Sequence, residues 1–227
     1  MALTDYGFDP ALKGTGYVLS NNNWTQSRTS NGNNWVHSKV VGPLPSSGKL
    51  YCECLLPSTY NNSLFGVCTT AVPLTTYVGG GAKGYNVAFV NAANRYCHNN
   101  ATATAWTGTL PNSPGDAWCF ALDIDNAKIW FGTIHSGSQE WINHAGGGVG
   151  DPANGLNESY NSIDTSGLYI GMGNYNQGAG YVYTLQLMAA DQQCSPPTGF
   201  SALDTLLGSL GGGFWNILSC GSGLLQG

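Results

Sequence analysis

Residues Gly115–Gly132 read Gly-Asp-Ala-Trp-Cys-Phe-Ala-Leu-Asp-Ile-Asp-Asn-Ala-Lys-Ile-Trp-Phe-Gly. The pattern predicts two apolar strands, Ala117–Ile124 and Lys128–Gly132, joined by a tight polar turn at Asp125-Asn126-Ala127. Successive strand side chains point to opposite faces, and Ala117–Ile124 is apolar at both parities. Such a strand belongs inside a sheet, packed by an opposing sheet on one side and covered on the other. Asp123 and Asp125 share a parity at the hairpin end, where capping the turn is their expected work.

Working outward, the same grammar continues. Short apolar runs alternate with Gly-, Asn- and Ser-rich turns, and the chain holds 33 glycines and 10 prolines. Further strands are expected at Tyr17–Ser20, Trp24–Ser27, Trp35–Val40, Gly48–Leu56, Leu64–Thr69, Tyr85–Val90, Leu168–Asn174 and Tyr181–Leu187, with the second hairpin strand reaching Ile134. In Gly48–Leu56, Tyr51, Glu53 and Leu55 face one way and Leu50, Cys52, Cys54 and Leu56 the other. The fold class expected is all-β, a two-sheet antiparallel sandwich. Only after it does a helical period appear. Leu203, Leu206, Leu207 and Leu210 recur at three-and-four spacing, with Ser201 as N-cap, Asp204 three residues on and Gly211 as the stop.

Charged residues make up 8% of the chain and its net charge is −5. Its polar surface must therefore consist of neutral side chains, which suits fibre proteins, adhesins and particle components. Lys13, Arg28, Lys39, Lys49, Lys83, Arg95 and Lys128 are scattered, so no cluster is built to neutralise a run of phosphates, and nucleic-acid binding is not expected. Nor is membrane insertion: no apolar run approaches the roughly 20 residues of a spanning helix. Met1–Phe8 lacks the charged and apolar regions of a signal peptide, so synthesis in a cytoplasm is expected.

Seven cysteines leave at least one unpaired within the chain. They form no Cys-x-x-Cys pair, and His37, His98, His135 and His144 stand at no ligand spacing, so neither a metal nor a cofactor is expected. Cys52 or Cys54 and Cys119 read as small buried hydrophobes. Cys194 and Cys220 lie in the tail, where bridges between subunits are conceivable under oxidising conditions. Catalytic patterns are missing. Glu53, Glu140 and Glu158 do not make the strand-borne carboxylate pair a glycosidase needs. No Gly-x-Ser-x-Gly elbow occurs, and Gly79-Gly80-Gly81 is not followed by a phosphate-loop lysine and hydroxyl.

Several stretches resemble the SPRY domain. The Gly115–Gly132 hairpin resembles its signature, Gly48-Lys49-Leu50-Tyr51-Cys52-Glu53 its Gly-Lys-x-Tyr-x-Glu strand, and Phe65-Gly66-Val67-Cys68 the strand after it. Arg95-Tyr96-Cys97-His98-Asn99 is similar to the segment before the hairpin. Gly150-Asp151-Pro152-Ala153-Asn154-Gly155 and Pro196-Pro197-Thr198-Gly199-Phe200-Ser201-Ala202-Leu203 resemble segments of bacteriophage SPRY-like proteins, as do Phe8-Asp9-Pro10 and Val18–Asn21. The resemblance spans most of residues 5–203. It implies a concanavalin A-like sandwich that binds surfaces rather than catalyses, here a virion protein acting as head decoration, fibre or tail component.

Two units are expected on this basis: a sandwich over 1–192 and a linker with an apolar tail over 193–227. Leu206, Leu207, Leu210, Phe214, Trp215, Ile217 and Leu218 would anchor it to other virion proteins or to further copies of itself. Aromatic side chains expected in loops, Tyr77, Trp106, Trp141 and Tyr175, would contact a host-surface glycan or protein. The virion surface is the expected location. A purely architectural cement protein is the second reading, and a glycan depolymerase a third.

Overall fold

The computed structural model describes residues 6–29, 34–56, 62–81, 83–91, 94–99, 102–111, 113–144, 146–175 and 181–210. Its strands are β1 (Phe8–Lys13), β2 (Tyr17–Ser20), β3 (Thr25–Arg28), β4 (Trp35–Val40), β5 (Lys49–Leu55), β6 (Ser63–Cys68), β7 (Gly84–Asn91), β8 (Asn94–Asn99), β9 (Thr102–Thr107), β10 (Ala117–Asp123), β11 (Lys128–His135), β12 (Ser138–Trp141), β13 (Asn143–His144), β14 (Tyr169–Tyr175) and β15 (Val182–Gln186), followed by the α-helix α1 (Leu203–Leu210). They form two antiparallel sheets. One runs β1-β4-β14-β6-β7-β8-β9-β13 and the other β12-β11-β10-β5-β15-β3-β2. The expected all-β sandwich is what the chain forms.

The Gly115–Gly132 hairpin sits inside the seven-stranded sheet, with β10 paired to β11 on one side and β5 on the other. Trp118, Phe120 and Leu122 enter the core between the sheets, where Phe65 of the facing sheet lies 5.1 Å from Phe120, ring centroid to centroid. Ala117, Cys119 and Ala121 face outward and are fully buried. What covers them is the C-terminal segment. Phe200 packs edge-on against Trp130 at 6.0 Å. Asn126 donates two hydrogen bonds to Asp123, one from its backbone N–H (3.0 Å) and one from its side chain (2.9 Å). Asp125 instead accepts from the Gly48 N–H at 3.0 Å, fastening the turn to the start of β5.

The C-terminal segment is where expectation and structure part. The Ser201 N–H donates to the Lys49 carbonyl and its own carbonyl accepts from Tyr51, in a parallel bridge to the β5 region. Ser201 is thus tied to the sheet and does not cap α1, which begins two residues later. Buried Glu53 accepts the backbone N–H groups of Gln193 (2.8 Å) and Cys194 (3.0 Å) and the Tyr51 hydroxyl (2.8 Å). The strap so fixed runs on to Phe200, Ala202, Leu203 and Leu206, all buried. The boundary expected at 192/193 falls where this strap is fastened down. Leu206 is 6% exposed and belongs to the sandwich core, so it is not available to anchor a neighbour; Leu207 packs partly against the same core. Phe214, Trp215, Ile217, Leu218 and Cys220 lie outside the described residues, and the backbone alone is described at Leu210.

Candidate binding groove

The outer face of the eight-stranded sheet carries a long connection, residues 69–81, laid across it. Three features of that face let the connection lie close. A glycine leaves room: a Cβ at Gly171 would stand 2.8 Å from the Val78 side chain. Buried Lys39 donates from Nζ to the Thr69 (2.9 Å) and Val72 (2.8 Å) carbonyls. Buried His37 donates from Nδ1 to the Thr76 carbonyl at 2.7 Å. Burial holds the His37 imidazole down to about 4, so it is neutral at pH 7 with its proton committed to Thr76. Desolvation lowers the Lys39 ammonium as well.

Fixed in this way, the connection stands Tyr77 against Trp35, edge to face at 5.7 Å. Tyr175, at the end of β14, lies 5.4 Å from Trp35. Tyr77 also packs on His98 (4.9 Å), which neighbours Tyr96 (6.0 Å). With Asn62 and Ala103 these rings line a groove of about 350 Å³, within the roughly 300–1,000 Å³ of small-molecule sites. No lining side chain carries a formal charge at neutral pH. Burial lowers His98 to about 4, and its Nδ1 donates to Asn86 Oδ1 at 3.0 Å.

Beneath the groove a polar network sets the positions of Trp35 and Tyr175. The Arg28 guanidinium, 2% exposed, donates to the Asn34 side chain (3.2 Å) and carbonyl (3.4 Å) and to the Asn174 side chain (3.1 Å) and carbonyl (3.3 Å). Tyr17 donates to Asn174 Oδ1 at 2.8 Å and accepts its N–H at 3.0 Å. Asn34 and Asn174 immediately precede Trp35 and Tyr175, so the network holds the strand ends that present the two rings.

Of the four aromatics singled out from sequence, Tyr77 and Tyr175 meet in the groove. Trp106 does not. It is an inward-facing residue of β9, 3% exposed and edge-on to Trp118 at 5.9 Å. Trp141 belongs to β12 and lies half-buried on the opposite outer face, 6.3 Å from Tyr51. Trp35, Tyr96, His98 and Asn62 were not expected at a site. Parity carried a signal for two of them: Tyr96 and His98 share one face of any strand through Arg95–Asn99.

Three further acids are tied down. Thr109 N–H donates to Glu140 at 3.1 Å, Lys128 pairs with Glu158 at 3.3 Å, and Asp116 accepts from Ser113, Ser136 and His135 at 2.7–3.1 Å. Among the described residues, no group of three or more His, Cys, Asp or Glu side chains is placed to hold a metal ion, and no helix is long and apolar enough to cross a membrane. A second cleft of about 440 Å³ lies between Asn21, Trp24, Gln186 and Asp191, with one ring facing it.

No protein-family model matches the sequence, and neither does any curated protein. Solved structures do match. The TRIM65 PSpry domain is similar over 80% of this chain and 92% of its own, at 13% identity and a TM-score of 0.58. The SPRY domain of human HERC1 is similar over 83% of this chain and all of its own, at 15% identity and a TM-score of 0.54. Stonustoxin is similar over 80% of this chain and 27% of its own, at 14% identity and a TM-score of 0.55. At these identities the likeness concerns the fold, and the fold is SPRY-like.

Proposed function

We propose that this chain is a non-catalytic recognition module whose contact surface is the groove formed by Trp35, Tyr77, Tyr96, His98 and Tyr175. The observation that carries this reading is the convergence of five rings from four separate segments onto one open, uncharged site. Aromatic faces gathered outside the core are characteristic of contact surfaces. The SPRY-like fold supports a module for binding protein partners. Employment of Glu53, Glu140 and Glu158 in structural bonds supports the absence of glycosidase chemistry.

The module's place is a bacteriophage virion, as head decoration, fibre or tail component. The phage-like segments at Gly150–Gly155 and Pro196–Leu203 and the low charge density support this. The residues after Leu210, with Phe214, Trp215, Ile217 and Leu218, anchor it to other virion proteins.

The test is binding of the purified chain to intact host cells and to assembled particles, comparing wild type with Ala103→Trp, which fills the groove from an exposed strand position. At least a tenfold loss with Ala103→Trp, and none with Val18→Ser on the other sheet, is expected. Undiminished binding by Ala103→Trp would reject the groove. If the chain binds particles and not cells, the module is architectural rather than host-directed.

A further inference from the structure

The groove's chemistry narrows what fits it. We propose, building on the recognition reading above, that its ligand is a neutral saccharide chain, held by stacking on Trp35 and Tyr175 and by a hydroxyl donated to His98.

Three observations lead there. The first is the donor and acceptor balance at His98. Its Nδ1–H is committed to Asn86 Oδ1, and a neutral imidazole has only one N–H. His98 Nε2 is therefore an acceptor, and a ligand group that donates would match it. A sugar hydroxyl donates. A proline-rich peptide, the other habitual occupant of aromatic grooves, presents carbonyl acceptors and few N–H donors.

The second observation is charge. Trp35, Asn62, Tyr77, Tyr96 and Tyr175 are all neutral polar or aromatic side chains. The Lys39 ammonium, on the same strand as Trp35, is buried and occupied by the Thr69 and Val72 carbonyls. A uronic or sialic acid would find no counter-charge, and a phosphorylated ligand none either.

The third is shape. Tyr175 meets Trp35 tilted at 44° and Tyr77 meets it at 60°. These inclined rings give a trough rather than a closed pocket. A trough suits the apolar C–H faces of consecutive rings in a chain better than a single buried monosaccharide. Asn62, whose carbonyl accepts the Tyr175 N–H at 2.8 Å, brings to the rim an amide that both donates and accepts.

The experiment titrates the full 227-residue chain with maltohexaose, cellohexaose, chitohexaose and a mannan oligosaccharide, and separately with a polyproline peptide, by calorimetry. Binding of at least one oligosaccharide is expected, weakened tenfold or more by Trp35→Ala and by Ala103→Trp, and weakened by His98→Phe more than by His98→Gln. Thermal unfolding of each variant separates lost binding from lost fold, and Ala103→Trp keeps the test decisive if Trp35→Ala does not fold. Sugar binding that survives Ala103→Trp overturns the assignment of the site. Peptide binding blocked by Ala103→Trp, with no sugar bound, overturns the saccharide and leaves the recognition reading standing. Silence from both ligand sets overturns the saccharide, and if Ala103→Trp also leaves cell and particle binding intact, the recognition reading falls with it.

Discussion

Arg28, His37 and Lys39 are cationic or titratable residues fully enclosed by a chain that has few of them. Each spends its donors on backbone carbonyls of the segments that carry groove residues. Removing such a donor leaves buried acceptors unpaired, at about 1–3 kcal/mol each. Arg28→Leu is thus expected to lower stability by at least that much and to broaden the Trp35 indole resonance, measured by urea unfolding and NMR. His37 makes a pH prediction. Its folded value, about 4, lies below the 6.5 of an unfolded histidine, so the unfolded chain binds more protons between the two. Stability is full above pH 6.5 and falls as pH drops toward 4, by up to about 3 kcal/mol from this residue. His98 and His144 are lowered in the same direction by burial. His37→Phe should flatten part of that slope in urea titrations run from pH 7 to pH 4; an unchanged slope would contradict the assignment. Gly171→Ala should cost about 1–3 kcal/mol, since its Cβ would push Val78 and with it the Tyr77 connection off the sheet.

At the scale of elements, the strands legible in the sequence were those whose apolar residues alternate or run together. The Gly115–Gly132 hairpin is the clearest case, and its two-faced apolar character correctly required a cover. What the sequence did not disclose was the cover's identity. Pro196–Leu203 looks like a linker because it is rich in Pro and Gly, yet its backbone bonds to β5 and its Phe200 seals Trp130. β9 escaped notice for a related reason: Thr102–Thr107 alternates Thr and Ala before one Trp, so no strong hydrophobic period marks it. Trp106 therefore reads as a loop residue in the sequence, although its ring is core. The groove was half legible. Tyr77 and Tyr175 stood out between Gly and Asn residues, whereas Trp35 and His98 gain their role only when β4 and β8 are brought to one face of a sheet. Truncation tests this account. A chain ending at Leu210 should unfold within a degree or two of the full chain. One ending at Gln192 uncovers Tyr51, Ala117, Cys119, Ala121 and Trp130 and should be destabilised by several kcal/mol, the scale set by losing Phe200 alone at about 3–5 kcal/mol. Equal melting temperatures for the two would contradict the strap.

For the molecule as a whole, the two outer faces of the sandwich do different work. The seven-stranded sheet is covered over β5, β10 and β11 by the chain's own C-terminal strap. The eight-stranded sheet is only partly closed, by residues 69–81, and the groove that remains open is aromatic and uncharged. The same low charge leaves Asn, Ser, Thr and Tyr to supply the polar groups of the surface. The most direct test of this division is site-specific photocrosslinking. A benzophenone side chain is placed in the full chain at Ala103 in the groove, at Asn21 beside the second cleft, or at Val18, which is 50% exposed on the other sheet. Each protein is irradiated with host cells and with assembled particles. The account predicts a crosslinked adduct from position 103 and none from 21 or 18; adducts from 21 or 18 with none from 103 would contradict it.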